Sequence, residues 1–463
     1  MFDTAGHVHA SAQRSIAVDL PQPGWAEQSA NEILTAQIAA AREAVAGVGG
    51  ADRIVGAAVV NQRETAIVWN RATGRPVGPA IVWQCRRTSG QADTLLREHG
   101  NEIRARTGLH PDAYFSGPKI SWLLDHVPGA RELAEVGDLV AGTVDTWLLD
   151  NLCAGPVHLS DRTNASRTML WDLNHEQWDP ELCAWQRVPL SILPEVRPSS
   201  SEFGLIDRSI LGREIPVLAV AGDQQAALIG HGIAQPGSAK CTYGTGAFVL
   251  AHAGVSRTAP TGLLLTASAD GGVAYEGGVF TAGSVVQWMR DELGFGGDAA
   301  AISDLASSAP DSGGVTMIPA LAGIGAPHWV ADARGAIVGI TRGTTRAQIA
   351  RAAFEGVAFR VREIVEAMES GGHPLAELKV DGGMSASEIM LQIQADALQR
   401  AVVRPDMMET TALGGARLAM QAAGIRYEDA DQAAIRVEPS AELESEYERW
   451  SSVRRAVQAL GTS

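Results

Sequence analysis

The chain has 463 residues, 46% of them apolar, enough to bury two or three domain cores and too many for a disordered chain. Lys and Arg number 37 against 53 Asp and Glu, a net charge of −16 that excludes the basic face a nucleic-acid protein needs. No apolar run reaches the roughly 18–20 residues of a membrane span, and Cys85, Cys153, Cys183 and Cys241 are too scattered for a disulfide framework or zinc site.

Residues 32–46 carry Ile33, Ile38 and Ala41 at helical spacing. Residues 52–61 (DRIVGAAVVN) and 66–69 read as strands, followed by a turn over 72–79. Two polar runs, NQRET at 61–65 and WQCRRT at 83–88, directly follow apolar strands. There an Arg63–Glu64 pair can bind neighbouring hydroxyls of a polyol, the guanidinium donating and the carboxylate accepting. The plainer reading is a surface ion pair worth about 0–1 kcal/mol. Trp83 can flank an aliphatic carbon chain or simply fill core.

Residues 215–221 (IPVLAVA) read as a buried strand and 223–229 as the helix after it. Asp223 therefore stands at a strand's C-terminal end, where open α/β sheets bind ligands. It can equally be a simple N-cap. The adjacent amides of Gln224 and Gln225 suit a polar ligand.

A domain boundary is expected near 230–237, dividing 1–230 from 231–463. In YGTGAF (243–248) small residues around Thr245 let backbone N–H groups and a hydroxyl approach phosphate oxygens, or form a hairpin turn. Strand-to-helix steps follow at 335–340 into 346–369 and at 378–380 into 386–398, and a helix covers 410–423. VDGG (380–383) lies inside the second step, where a nucleotide can pack against the glycines, or where the chain simply turns. GFGGDA (294–299) follows a helical pattern instead of a strand and is set aside as a dinucleotide motif. None of Lys119, Lys240 and Lys379 follows a glycine, so no GxxxxGK[ST] phosphate loop exists. Strands alternating with helices in both halves predict two α/β domains with a cleft between them.

Taken in order, NQRET, IVWQCRRT, YFSGPKISWLLDH, GTVDTWLL, TNASRTMLWD, AGDQQAA, TYGTGAF, PALAGIGAPHW, ARGAIVGITRGTT and VDGG resemble the FGGY carbohydrate kinases. NQRE and WQCRRT narrow the resemblance to the glycerol kinases within them. The resemblance runs from about Phe2 to about Gly424. It implies two actin-like (ribonuclease-H-like) domains, 1–230 polyol-binding and 231–463 nucleotide-binding, with an interdomain cleft. It also implies ATP- and Mg²⁺-dependent phosphorylation of glycerol to sn-glycerol 3-phosphate.

By the same resemblance, Arg63, Glu64, Tyr114, Asp223 and Gln224 match the glycerol-hydroxyl ligands, and Trp83 and Phe248 the aromatic pair flanking its carbons. Thr245, Gly283 and Gln287 match nucleotide contacts, Gly383 the glycine beside the adenine, and Asp223 the general base. Glycerol and ATP are the expected partners, in a cytoplasmic homodimer or homotetramer. The alternatives are an FGGY kinase for another small polyol and a catalytically silent polyol-binding relative.

Three departures from the family pattern carry expectations of their own. The family opens with a strand and an Asp-x-Gly-Thr-Thr-Ser turn that binds Mg²⁺ and the ATP phosphates. Here residues 2–6 (FDTAG) align with the hairpin after that turn, so roughly twenty residues, about one strand and its turn, are missing. This predicts a start upstream and weak or no turnover for the sequence as written. It also leaves the metal ligand unassigned, with Asp223 able to act through water. Ser387 stands where the family usually carries an adenine-side Asn, and its shorter reach bears on nucleotide affinity. Residues 206–215 (IDRSILGREI) lack the glycine–arginine loop that binds fructose 1,6-bisphosphate in some relatives, so that feedback is not expected.

Overall fold

In the computed structural model, which describes residues 1–372, 374–407, 409–428 and 434–461, the strand–helix alternation resolves into two units. The first comprises Met1–Gly232, Leu265–Val273 and Glu409–Ala430, and the second comprises Ile233–Leu264, Ala274–Met408 and Asp431–Ser463. The two consecutive blocks expected from the sequence thus omit two excursions, in which later segments of the chain complete the first unit.

The first unit is built on a sheet in the order Ser200–Ile206, Ile215–Gly222, Ala57–Asn61. Its middle strand runs antiparallel to the first and parallel to Ala57–Asn61. Val217 and Val220 of that strand join Ile33, Trp69, Trp147 and Phe203 in one apolar core. Buried tryptophans need a partner for the indole N–H. Trp69 Nε1 donates to Asp150 and Trp147 Nε1 to the Ala30 carbonyl, each at 2.8 Å. The expected strand 52–61 is shorter than predicted. Ala51–Arg53 form a 3₁₀ turn, and extended structure begins only at Ala57, where Val217 supplies a pairing partner.

Phe2 and Val8 bridge across a tight turn with Gly6 at φ +80°. Asp3 sits inside this hairpin and accepts from the Ala5 and His7 N–H groups and from His9 Nε2.

The second unit centres on a hairpin of Ala239–Tyr243 and Ala247–His252. Val273–Val279 adds antiparallel to one side, and Glu377–Asp381 adds parallel to the other. Ala401–Pro405 and Ala434–Val437 extend the sheet beyond it. The helix Arg346–Glu369 starts at a capping box, in which the Thr345 hydroxyl and the Gln348 side chain satisfy each other's backbone N–H. The expected helix 386–398 starts later. A 3₁₀ turn at Gly383–Ala386 intervenes, and Ser387 caps Glu388–Leu398 through the Met390 N–H.

All four cysteines are free and buried. Among the described residues no helix is long and apolar enough to cross a membrane.

Candidate functional site

In the first unit the polyol candidates converge on the C-terminal end of Ile215–Gly222. The chain turns there from Gly222 into the helix Asp223–Gly230, of which Asp223 is the first residue and Gly222 the N-cap. The N-cap reading of Asp223 therefore fails. Its Oδ1 accepts from the neighbouring Gln224 N–H at 2.7 Å and faces Arg63 Nε at 3.2 Å. The Gln224 amide reaches its other oxygen at 3.4 Å. With 37% of its side chain exposed, Asp223 is open to a ligand as its buried neighbours are not.

The corner that presents Asp223 is held from beneath. The Thr163 hydroxyl accepts from the Gly222 N–H at 2.8 Å and donates to the buried Asp161 at 2.7 Å. Gly222 must also lack a side chain. A Cβ there would lie 2.6 Å from the aliphatic stem of Arg63, which passes beside it toward Asp223.

Arg63 and Glu64 are buried, so the surface-ion-pair reading fails as well. Glu64 has φ +61° and sits at the centre of a three-residue turn closed by the Thr65 N–H on the Arg63 carbonyl at 2.8 Å. Such a turn is strained for a residue with a Cβ and persists only when its surroundings hold it. Two buried cations do so. Arg167 Nε donates to Glu64 Oε1 at 2.6 Å, and Lys119 Nζ donates to the Glu64 carbonyl at 3.1 Å. Arg63 Nη1 meets Gln225 Oε1 at 3.4 Å, and the Gln225 amide continues to the Thr266 hydroxyl.

Tyr114 is buried, and the Arg167 guanidinium lies 5.4 Å from its ring centroid. Trp83 is half-buried and meets Tyr114 edge-on, with centroids 5.8 Å apart. It is neither pure core nor free surface.

Sequence reasoning passed over Arg167 and Lys119. Arg167 lies in the quoted TNASRT, but nothing local marks it, since Glu64 is 103 positions away. Lys119 had a usable signal. It is one of only three lysines and is followed by an apolar helical run, a place where a lysine needs a buried partner.

The remaining candidates lie in the second unit. Gly244–Gly246 form the hairpin loop, closed by the Gly244 N–H on the Gly246 carbonyl at 2.8 Å. The loop rests on the start of Gly283–Asp291. The Gly283 N–H donates to the Gly244 carbonyl at 3.0 Å, and the Ala282 and Ser284 N–H groups donate to the Thr245 carbonyl. A Cβ on Gly283 would lie 2.5 Å from the Gly244 oxygen, so this glycine is required for backbone-to-backbone approach. The geometry brings Thr245, Gly283 and Gln287 together, with Thr245 and Gln287 exposed.

Because Thr242 pairs with Asp381, the VDGG turn leaves the sheet at the same end as that loop. Gly382 has φ +84° and packs so closely that a Cβ would lie 2.5 Å from the Tyr243 carbonyl. Gly383 is open, with nothing within 4 Å of a built Cβ. Ser387 is already engaged as a helix cap and bonds the Ser303 hydroxyl at 2.6 Å. Phe248 is half-buried on Ala247–His252, in the second unit, whereas the other polyol candidates belong to the first.

The chain is similar to known proteins over most of its length. Residues 1–230 match the N-terminal domain of the FGGY family of carbohydrate kinases and residues 239–423 its C-terminal domain. A glycerol kinase of Acidovorax sp. (strain JS42) is 50% identical over 438 residues, 92% of this chain and 88% of the relative. That of Paracidovorax citrulli is 48% identical over 449 residues, again 92% and 88%. The crystal structure of Plasmodium falciparum glycerol kinase with ADP superposes with a TM-score of 0.86 at 32% identity, covering 99% of this chain and 94% of that one. With both domains matched over nearly the whole chain, the protein belongs to the FGGY family of carbohydrate kinases.

Proposed function

We propose that the chain transfers the γ-phosphoryl group of ATP to a terminal hydroxyl of glycerol, giving sn-glycerol 3-phosphate and ADP. The observation that carries this reading is the buried Arg63–Glu64 pair beside the open carboxylate of Asp223, in a chain whose near relatives are glycerol kinases. A three-carbon triol offers vicinal hydroxyls that each need a donor and an acceptor. Arg63 donates, Glu64 accepts, and Gln224 and Tyr114 complete the set. Trp83 flanks the carbons, and Phe248 is the second aromatic that the resemblance implies.

A primary alcohol is a poor nucleophile at neutral pH. Asp223 takes its proton as the new O–P bond forms and the bond from Pγ to the β-phosphate oxygen breaks, releasing ADP. Thr245, Gly283, Gln287 and Gly383 hold the nucleotide. The bare backbone of the glycine turns fits a phosphate or base at close range, while Ser387 acts through the turn it caps. Mg²⁺, when bound, would neutralise charge on the substrate phosphates, and Asp223 could hold it through water. The cell interior, where ATP is available, is the compartment this reaction needs.

The test is ADP release on addition of glycerol by the full-length protein. Asp223→Asn should lower kcat by about 10²–10⁴ while glycerol affinity changes little. An Asn variant with wild-type turnover would remove Asp223 from the base role. Glycerol-induced thermal stabilisation without any phosphate transfer would replace the kinase reading with a polyol-binding protein.

A further inference from the structure

We propose that Lys119 is a positioning residue for the polyol site, its single nitrogen tying the Arg63–Glu64 turn to the Tyr114 segment. Lys119 lies in the first turn of Ser116–His126 and is completely buried. Its Nζ donates to the carbonyl oxygens of Glu64 and of Tyr114. These residues are 50 positions apart in the chain, and both present side chains to the substrate in the reading above, on which this inference rests. One lysine therefore ties together the backbones of two ligands.

The Glu64 carbonyl is the one that most needs an anchor. It belongs to the residue at φ +61°, and without a donor its turn would relax toward ordinary backbone and swing the carboxylate out of place. Arg167 holds that same residue by the opposite end, through the carboxylate. The division of labour is clean: Arg167 fixes the side chain and Lys119 fixes the backbone beneath it. Burial lowers the Lys119 ammonium to about 7, but either protonation form keeps the two N–H donors the carbonyls require.

A lost anchor reduces the fraction of molecules in the binding-competent form, and apparent affinity falls by that fraction. Bound glycerol restores the form, so the loss falls on Kd and KM more than on kcat at saturation. Lys119→Met should raise the glycerol Kd about 10- to 100-fold by titration calorimetry, the range expected for stranding a buried carbonyl. The ADP Kd should stay within about twofold, because both carbonyls that Lys119 holds belong to the first unit and the proposed nucleotide residues to the second. Lys119→Gln, which keeps two N–H donors on a shorter arm, should recover part of the loss.

Glu64→Gln in parallel separates the two readings. If it leaves glycerol affinity intact, the polyol assignment itself fails. If it weakens binding and Lys119→Met does not, only the positioning role fails. Glycerol and ADP affinities lost together, or all Lys119 variants unfolded, would make Lys119 a fold residue and overturn the proposal.

Discussion

Asp145 is fully buried in the helix Val144–Leu152, where it accepts from the Ser160 hydroxyl at 2.6 Å and from the Thr143 hydroxyl. Burial, and secondarily the nearby negative charge of Asp161, push its pKa up to about 6. The folded chain thus holds this proton between about pH 4 and 6, where the unfolded chain has released it. The sign follows: the contribution to stability is fully present below about pH 4 and is lost as pH rises through 6. A shift of roughly two units corresponds to about 3 kcal/mol. Asp145→Asn should therefore gain stability relative to wild type by about that amount between pH 4 and pH 7, read from urea unfolding at both. A difference that stays flat with pH would show that Asp145 ionises as it does in the unfolded chain. At this scale the sequence displayed the residues proposed to bind the substrate, Arg63, Glu64, Tyr114 and Asp223. Those that hold them were hidden. A buried Lys119, Asp145 or Arg167 is explained only by partners that the fold brings from elsewhere.

The helices Asp223–Gly230 and Thr410–Ala422 meet through bare backbone. A Cβ on Gly414 would lie 1.8 Å from the Ala226 carbonyl, and one on Gly230 would lie 1.9 Å from the Thr410 carbonyl. Arg417 adds a cap, donating to the Ile229 and Gly230 carbonyls at the end of the first helix. Gly414→Ala has no side chain to push aside and must part the helices, at a cost of about 1–3 kcal/mol or more. Its melting temperature should fall, and kcat with it, since Asp223 begins the displaced helix. Gly90→Ala is the control. Nothing lies within 4 Å of its Cβ, so stability should hold or rise by up to about 1 kcal/mol. Equal effects from both substitutions would refute the close-packing account. Periodicity made these elements legible: 223–229, 346–369 and 410–423 were expected within a residue or two of where they lie. Pairing partners and caps set the ends that were missed. Ala57 begins a strand because Val217 is opposite, and Ser387 begins a helix because its hydroxyl caps it.

Across the molecule, the first unit is not a contiguous piece of chain. Ala219, Ala221 and Ala226 pack on Leu418 and Ala419, and the Ser166 hydroxyl meets that of Thr266 at 3.0 Å. A fragment ending at Gly232 lacks both partners and should give a broad, non-cooperative melt by circular dichroism. Rejoining residues 265–273 and 409–428 through linkers should restore a sharp transition. A cooperative melt of the bare fragment would overturn this dependence. Local pattern cannot announce such an excursion, because 410–423 reads as the same amphipathic helix whichever unit it serves.

The same discontinuity imposes a schedule on synthesis. Roughly 180 residues separate Gly232 from Glu409, which at about 5–20 residues per second is roughly 10 to 35 s at the ribosome. Through that interval the Asp223–Gly230 helix has emerged while the glycine-faced helix that packs on it does not yet exist. The segment carrying the proposed base is thus made near the middle of synthesis, yet it reaches its final packing only after residues 410–422 have been added.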